Sequence, residues 1–425
     1  MASSRELLRD IQQGKWDDTL MRLYGAERLE RQRRRYAEAV SQFQLYFGAC
    51  SEVRLYSVPG RTELCGNHTD HQKGIGLAAA VDRDIIAVVA RRNNSIVRVK
   101  SYGFDKLDIV DLQQKERQTM ENTHSASLIR GIGNIMQQRG GRAGGFDAYT
   151  TSDVLRGSGL SSSASFEVMM GIILNDLYNG MRFSSLEIAR IGQSAENQYF
   201  GKPCGLLDPL SCAMGSILCV DMEQEDAPLV RTLHRTDFSK ELALCITDTR
   251  GSHSELTQEF AQVKNEMESV AHALGCENLR QASEKALWRE MPRLRQLCGD
   301  RAVLRALHFY RENQRAQTAY EALRTGKIEV FLHCIRDSGH SAFQYNQNTA
   351  CQVQQQAIPL ALAVSQSVLG NYGACRVQGT GFAGTIQAFV PKDLLPEYTH
   401  RMEQVFGPGC CDVMQIRPTG AERLL

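Results

Sequence analysis

The chain has 425 residues, of which 42% are hydrophobic and 23% charged, and both proportions are typical of a water-soluble globular protein. Its net charge is only +1, and no basic stripe interleaved with aromatic residues occurs, so the composition gives no reason to expect nucleic-acid binding. No apolar run approaches the ~18 residues needed to span a bilayer, and the N-terminus lacks the apolar core of a signal peptide, so we expect a cytoplasmic protein that does not bind membranes. Thirteen scattered cysteines without a CxxC pair predict free thiols.

Hydrophobic periodicity predicts secondary structure along most of the chain. In chain order, the predicted elements are a mostly polar helical segment at 1–47, strands at 84–90, 96–100 and 146–150, a buried helix at 166–178, strands at 216–220 and 242–247, helices at 260–274 and 313–325, and strands at 385–390 and 413–417. Helices and strands do not alternate strictly. This order predicts an α+β fold with mixed sheets and not a doubly wound parallel sheet.

Residues 59–71 read PGRTELCGNHTDH and crowd arginine, histidine and aspartate around two glycines. Each such polar group costs a few kcal/mol if it is buried without a partner, so this density is not expected in a core strand or helix. It is typical of a site that grips the hydroxyls of a small polar ligand. A polar surface turn is the alternative interpretation.

Residues 155–165 read LRGSGLSSSAS and lead directly into the predicted buried helix. Glycines let a backbone approach a ligand closely, and the unpaired N–H groups of a first helical turn attract anions. The segment therefore predicts a phosphate-binding loop, although it is not a P-loop, because no lysine follows the glycines. A serine-rich helix cap is the alternative.

Two other segments add candidate residues. Residues 373–384 read GACRVQGTGFAG just before a predicted strand, a pattern that by itself favours an ordinary hairpin turn. Residues 201–211 read GKPCGLLDPLS and place the single carboxylate Asp208 in an apolar, glycine-rich stretch. A surface aspartate before a proline is common, so this stretch alone does not identify a site.

Together, these motifs and their order resemble the galactokinase family of the GHMP small-molecule kinases, from about residue 48 to residue 425. The first motif is similar to the family's sugar-binding signature GRxNLIGEHTDY, the second to its GGLSSSAS loop and the third to its GGGFGG loop. The segment CGLLD at 204–208 is similar to the family's CGIMD, and NYGACR at 371–376 to its GxYGARxT run.

The resemblance implies a two-lobed GHMP kinase fold with the active site in the cleft between the lobes. We expect an N-terminal helical segment at 1–47, a sugar- and ATP-binding lobe at 48–235 and a C-terminal lobe at 236–425. The implied activity is ATP-dependent phosphorylation of a hexose at its C1 hydroxyl, with galactose as the expected substrate and Mg²⁺ as the metal. A small-molecule sugar is the expected partner, and the protein is expected to be a monomer or a weak homo-oligomer.

The resemblance also implies roles for particular residues. Arg61 takes the place of the arginine that steadies the reacting hydroxyl and the phosphoryl group, and Asp208 that of the carboxylate that accepts or orients the C1-hydroxyl proton. The implied sugar-binding residues are Asn67, His68, Asp70, Gly205 and Phe260. The implied ATP-binding residues are Gly157, Gly159, Ser161, Ser162, Ser163, Gly379 and Gly381. The implied Mg²⁺ ligands are Ser163 and Glu196, a hydroxyl and a carboxylate that suit a hard cation.

The sequence departs from the family pattern at several positions. The departures are Asn67 for a glutamate, His71 for a tyrosine, Glu63 for an asparagine, Phe260 for a sugar-contacting tyrosine when counted from His253, and Thr380 and Ala383 for glycines of the third loop. The family's glutamate contacts the sugar's 6-hydroxyl, so we expect Asn67 to set what is accepted at C6.

Two alternative functions stay open at this point. An asparagine could hydrogen-bond the carboxylate of a uronic acid that a glutamate would repel, and GNHTDHQ is similar to the GxHxDHQ variant of galacturonate kinases. A galacturonate 1-kinase is therefore the first alternative. The other is a galactokinase-like sensor that binds sugar and ATP without turnover.

Overall fold

The computed structural model describes residues 2–118, 121, 124–154, 159–202, 204–224, 226–234, 238–251, 257–350, 354–382 and 384–425. The helices are α1 Ser4–Gln12, α2 Asp17–Tyr24, α3 Leu29–Phe47, α4 Ser125–Gln138, α5 Ser162–Asn179, α6 Ser185–Ala195, α7 Leu207–Met214, α8 Phe238–Glu241, α9 Thr257–Ala273, α10 Glu284–Cys298, α11 Asp300–Arg324, α12 Ile328–Ser341, α13 Ala357–Leu369 and α14 Leu395–Phe406. The strands are β1 Arg54–Cys65, β2 Ile75–Arg91, β3 Ile96–Ser101, β4 Asp108–Asp111, β5 Phe146–Ser152, β6 Ile217–Asp221, β7 Leu229–Leu233, β8 Leu242–Asp248, β9 Ala374–Val377, β10 Thr385–Pro391, β11 Cys411–Met414 and β12 Glu422–Arg423.

The larger sheet has the strand order β12-β1-β2-β5-β3-β4, and β6 pairs with both β2 and β7. Its pairs are antiparallel except for β3 with β5, which run parallel. The long strand β2 pairs with β5 through residues 85–91 and with β6 through residues 75–79. The register of β1 against β2 shifts between Pro59 and Arg61 and again between Glu63 and Cys65. Such irregularities bend a strand, and here they lie in the segment that carries the first motif.

Helices cover both faces of this sheet. On one face, α4, α5, α6 and α7 share a continuous apolar core with β1, β2, β3, β5 and β6. On the other face, α1, α2 and α3 bury their own apolar stripes, including Leu7, Tyr36 and Phe43, against Ile86 and Val88 of β2. The segment at 1–47 is therefore less polar than the sequence suggested, because each of its three α-helices buries one apolar face.

The smaller sheet is antiparallel throughout, with the order β11-β8-β10-β9. Helices α11 and α12 pack between it and the ends of β1 and β2, so one apolar core joins the two sheets. Helices α13 and α14 cover its other face. This arrangement brings the C-terminal end of β1, the N-terminal end of β2 and the β9–β10 loop to one place.

The predicted α+β class with mixed sheets is confirmed, and each predicted helix and strand overlaps an observed one. Two details were wrong. Residues 59–65 belong to the buried strand β1, although their polar density argued against a core strand, because partners from other elements bond side chains such as those of Glu63 and Thr62. The last strand is shorter than 413–417, since β11 ends at Met414.

The predicted boundary between the lobes, at residues 235 and 236, lies outside the described residues. The C-terminal strand β12 pairs with β1 in the larger sheet, with Tyr56 opposite Arg423. Among the described residues, none of the helices combines the length and the apolar character that crossing a bilayer demands.

Candidate active site

The centre of the candidate site is an ion pair between Arg61 on β1 and Asp208 in the first turn of α7. The Arg61 Nε atom donates to Asp208 Oδ1 at 2.6 Å, and Nη2 donates to Oδ2. This is the two-pronged geometry that a guanidinium and a carboxylate form best. The Arg61 side chain is 5% exposed, whereas Asp208 keeps 30% of its side chain exposed. Arg61 is thus enclosed by the protein, whereas Asp208 is accessible to a ligand.

Asp208 is held in its ionised form. Burial alone would raise the pKa of this carboxyl, but the charge and hydrogen bonds of Arg61 and a hydrogen bond from Ser161 lower it below its ordinary value. The Ser161 Oγ atom donates to Asp208 Oδ2 at 2.5 Å. The N-terminal end of α7 adds a favourable dipole. The carboxylate is therefore available as a hydrogen-bond acceptor throughout the physiological pH range.

The second and third motifs meet directly beside this pair. The Gly159 carbonyl accepts hydrogen bonds from Arg61 Nη1 at 2.5 Å and from Gln378 Nε2 at 3.0 Å. A Cβ atom on Gly379 would lie only 3.3 Å from the Cα of Gly159, so the two loops touch through their backbones. The third motif is a hairpin loop, as the simpler interpretation held, because β9 and β10 pair antiparallel on either side of it.

Ser161 precedes α5 with a left-handed φ of 60°, and the half-buried Ser162 and Ser163 form the start of the helix. The first N–H groups of a helix have no acceptor inside it, so this end of the 18-residue helix α5 can bind an anion. Gly157 lies outside the described residues, as does Ala383 of the third loop.

Residues 66–71, the part of the first motif to which the resemblance assigns sugar binding, lie between β1 and β2, and we call them the sugar turn. Its Asp70 carboxyl lies against Gly205, where a Cβ atom would overlap with Asp70 Oδ2. Burial and the negative charge of Asp208 raise the pKa of Asp70 to about 6. Gly205 thus permits Asp70 to lie against the segment that leads into α7, and the pKa values of Asp70 and Asp208 are shifted in opposite directions.

His68 in the sugar turn is neutral, because burial lowers its pKa to about 4. Its Nε2 atom lies 3.0 Å from the Thr380 carbonyl, which can only accept, so Nε2 carries the hydrogen. The Nδ1 atom is then the acceptor of this ring.

The two remaining predicted sugar-binding side chains, Asn67 and Phe260, both contact the third loop. Asn67 is 1% exposed, and its side chain bonds to Gly379 and Asn348. Phe260 on α9 packs with its ring centroid 5.7 Å from that of Phe382 in the third loop. His253, from which its position was counted, lies outside the described residues.

Glu196, a predicted Mg²⁺ ligand, is 2% exposed, and its Oε1 atom has no hydrogen-bond partner among the described residues. The Lys202 Nζ atom lies 3.6 Å away. Beside it is Glu167 of α5, fully buried, both of whose carboxyl oxygens also lack a hydrogen-bond partner among the described residues. Burial and the charge of Glu196 raise the pKa of Glu167 well above its ordinary value.

Oxygen donors with unused lone pairs suit a hard divalent cation, so this region fits Mg²⁺. Within the described part of the chain, no group of three or more His, Cys, Asp or Glu side chains has the arrangement of a metal site. A cation here would therefore rely on few protein ligands, as Mg²⁺ at phosphate-transfer sites usually does.

Several buried polar residues around the site were not among the predicted site residues, although the sequence had singled out Glu63 as a departure from the family pattern. Glu63 forms an ion pair with Arg376 of β9 at 3.1 Å, and burial raises the pKa of Glu63 to about 7. Asn348 bonds to the sugar turn, and His308 of α11 lies 2.9 Å from the Asn67 carbonyl. No local pattern marks Asn348 or His308, because their partners lie far away in the sequence.

Two family models match parts of the chain. Residues 41–91 match the galactokinase galactose-binding signature, and residues 127–216 match the N-terminal domain of GHMP kinases. The matched segments contain Arg61, the sugar turn, the start of α5 and Asp208. The resemblance to the galactokinase family is confirmed.

Relatives of this galactokinase-like chain agree with that result. The galactokinase of Glaesserella parasuis serovar 5 (strain SH0165) is 29% identical over 360 residues, covering 83% of this chain and 89% of that protein. The galactokinase of Roseiflexus sp. (strain RS-1) is 29% identical over 383 residues, covering 87% and 91%. The crystal structure of Lactococcus lactis galactokinase complexed with galactose matches with a TM-score of 0.79 at 23% identity, covering 90% of this chain and 98% of that one. The fold is that of the GHMP kinases.

Proposed function

We propose that this protein is a sugar 1-kinase that transfers the γ-phosphoryl group of ATP to the anomeric hydroxyl of galactose. The observation that carries the proposal is the Arg61–Asp208 pair, which lies where the sugar turn, the start of α5 and the third loop converge. The galactose-binding signature over residues 41–91 supports the choice of sugar. The two curated relatives, both named galactokinase, support the same choice.

In this proposal, Asp208 accepts a hydrogen bond from the C1 hydroxyl and orients it toward the phosphoryl group. Because Arg61 and Ser161 lower its pKa, Asp208 is a weak base. It takes the proton late, once the new P–O bond has made the hydroxyl more acidic. This is compatible with phosphoryl transfer, in which positioning and charge neutralisation contribute more than proton abstraction. Arg61 holds Asp208 in place and adds positive charge beside the transferring group.

The ring hydroxyls are assigned to Asp70 and His68. The Asp70 carboxylate accepts, and the Nδ1 atom of His68 accepts as well, because its Nε2 hydrogen is committed to Thr380. Gly205 belongs to the same pocket because it allows Asp70 to lie beside the start of α7. Phe260 contributes an apolar surface through its contact with the third loop.

The nucleotide phosphates are assigned to the start of α5 and the two glycine loops, with Gly159, Ser161, Ser162, Ser163, Gly379 and Gly381 as the contributing residues. Ser163 and Glu196 would hold Mg²⁺, which neutralises phosphate charge when it is bound. The Lys202 Nζ atom, 3.6 Å from Glu196 Oε1, is close enough to help orient this carboxylate in the absence of the metal.

A coupled assay of ADP formation with ATP, Mg²⁺ and a panel of hexoses and uronic acids tests the proposal. Galactose is expected to give the highest kcat/KM, and turnover is expected to require the metal. Preference for galacturonate would replace the substrate but keep the reaction. Binding of both sugar and ATP by calorimetry without turnover would identify a sensor and overturn the kinase assignment.

A further inference from the structure

Two buried carboxamides tie the sugar turn to the third loop. The Asn67 Nδ2 atom donates to the Gly379 carbonyl at 2.8 Å, and Asn67 Oδ1 accepts from Asn348 Nδ2 at 2.8 Å. The same Asn348 nitrogen donates its other hydrogen to the Thr380 carbonyl at 3.1 Å. We call this set the amide clasp: the side chains of Asn67 and Asn348 and the carbonyls of Gly379 and Thr380.

The backbone of the third loop lies directly against Asn348. The Phe382 N–H donates to the Asn348 carbonyl at 2.5 Å. Gly381 has a left-handed φ of 83°, and a Cβ atom there would overlap with the same carbonyl. The sugar turn makes a second bond to the third loop, from His68 Nε2 to the Thr380 carbonyl. The three segments therefore form one hydrogen-bonded unit, although Asn67 and Asn348 are 281 positions apart in the chain.

The burial of these amides determines what they can do. Asn67 is 1% exposed and Asn348 is fully buried, so neither side chain presents a free surface to a ligand. The Asn67 amide donates one N–H to the Gly379 carbonyl, and its oxygen accepts from Asn348 Nδ2. One N–H and the oxygen of the Asn67 amide are thus committed to these partners, and only its second N–H, from a position that is 1% exposed, is left for a contact with the C6 end of a sugar. This differs from the role at C6 that the sequence suggested for Asn67.

We infer that Asn348 is a positioning residue of the kinase reaction and that it acts together with Asn67, because the two amides fix the sugar turn and the third loop in one geometry. The inference rests on the proposed function, because it assigns the sugar to the turn and ATP to the loop. Its consequence is shared dependence: when the clasp is broken, both substrates bind more weakly. Replacing a residue that contacts only the sugar would weaken the binding of the sugar and leave the binding of ATP unchanged.

The kinetic experiment compares Asn348→Ala, Asn67→Ala and the double variant with Asn175→Ala. Asn175 is a matched control because its buried carboxamide also bonds backbone groups, those of Phe183, but lies outside the site. Loss of the clasp bonds is expected to raise KM for both sugar and ATP about tenfold, with a smaller change in kcat. The double variant is expected to show a larger rise than either single variant, because Asn348→Ala leaves the Asn67–Gly379 bond in place and Asn67→Ala leaves the Asn348–Thr380 bond. The control is expected to keep both KM values within about twofold of wild type.

Hydrogen–deuterium exchange on the proteins without substrate gives a readout that does not depend on turnover. Asn348→Ala is expected to speed exchange in peptides covering both residues 66–72 and residues 379–382, and Asn175→Ala is not. If Asn348→Ala folds poorly, Asn348→Ser replaces it. Serine has one hydroxyl donor on a shorter side chain, so it cannot bond both Asn67 and the Thr380 carbonyl. Unchanged exchange at 66–72, or a rise in KM for one substrate only, would overturn the inference. If Asn348→Ala speeds exchange in both peptides but the wild-type protein turns over no sugar, the proposed function is wrong and the amide clasp still holds.

Discussion

The two ends of the candidate site use polar groups in opposite ways. At one end, the charged Arg61–Asp208 pair leaves 30% of the Asp208 side chain exposed. At the other end, the amide clasp consists of neutral groups that are almost completely sealed. An accessible charge can change the energy of a bound substrate, whereas sealed amides that bond to carbonyls can only fix the backbone. Exposure therefore separates Asp208, which is assigned to the substrate, from the clasp amides, which are assigned to the backbone.

The largest effect is expected at the charged end, for Asp208→Asn. The amide cannot pair with both prongs of Arg61 or accept the hydroxyl proton, so kcat is expected to fall about 100-fold or more while the sugar KM changes little. Steady-state kinetics with galactose measure both values. Asp221→Asn is the control, since Asp221 also pairs with an arginine, Arg280 at 2.8 Å, but lies outside the site. Near wild-type turnover of Asp208→Asn would remove Asp208 from the chemistry.

A smaller effect is expected at the clasp end, for Gly381→Ala. The new Cβ would overlap with the Asn348 carbonyl and push the third loop away. We expect a loss of about tenfold in kcat/KM for both substrates, because a small displacement of positioning groups is costly. Gly407→Ala is the matched control: its φ of 91° imposes the same backbone strain, but no atom lies within 4 Å of the new Cβ. Equal kinetics for the two variants would show that only backbone strain matters.

The pH dependence of sugar binding distinguishes two carboxylates within the site. The pKa of Asp70 is raised to about 6, whereas that of Asp208 is lowered. As pH falls below about 6, Asp70 gains a proton and loses its role as acceptor, so kcat/KM for the sugar is expected to fall by up to about tenfold per pH unit. Asp70→Asn should have a lower kcat/KM at neutral pH and lack this fall. An identical profile in the variant would assign the ionisation to another group.

The smallest effect concerns Glu167, which is sealed like the clasp but ionisable like Asp208. Its raised pKa means that the native chain holds a proton that the unfolded chain releases as pH rises above the ordinary glutamate value of 4.5. The free energy of unfolding should therefore decrease with rising pH, by on the order of 1 kcal/mol, and Glu167→Gln should lack this part of the decrease. Urea unfolding at several pH values measures it. A wild-type slope in Glu167→Gln would contradict the assignment.

The sequence predicted the fold class, the family likeness and the residues that meet around Arg61 and Asp208, because each lies in a short motif that can be recognised by itself. It did not predict that residues 59–65 form a core strand. Polar side chains there are paired across the molecule, as Glu63 is with Arg376 and Thr62 is with Gln387. These partners become visible only when the chain is folded.

Asn348 and Glu167 were missed for related reasons. Asn348 follows α12 in a segment without a motif, and its partner in the sugar turn is hundreds of positions away. Glu167 lies within an apolar helix pattern, where a single carboxyl group gives no signal of the nearby Glu196. The role of Asn67 was interpreted from its position in a motif, which does not reveal that Gly379 and Asn348 already occupy its amide.

The return of the C-terminal segment to the larger sheet bears on how the chain acquires its structure during synthesis. Arg417 pairs with the buried Asp84, 333 positions earlier, and β12 completes the edge beside β1. Ribosomes deliver these partners far apart in time, and contacts of such long sequence separation form slowly. Until Arg417 is made, Asp84 has Arg35 as its charge partner but lacks the second one, and the larger sheet has an unfinished edge, which is the kind of surface on which incomplete chains aggregate.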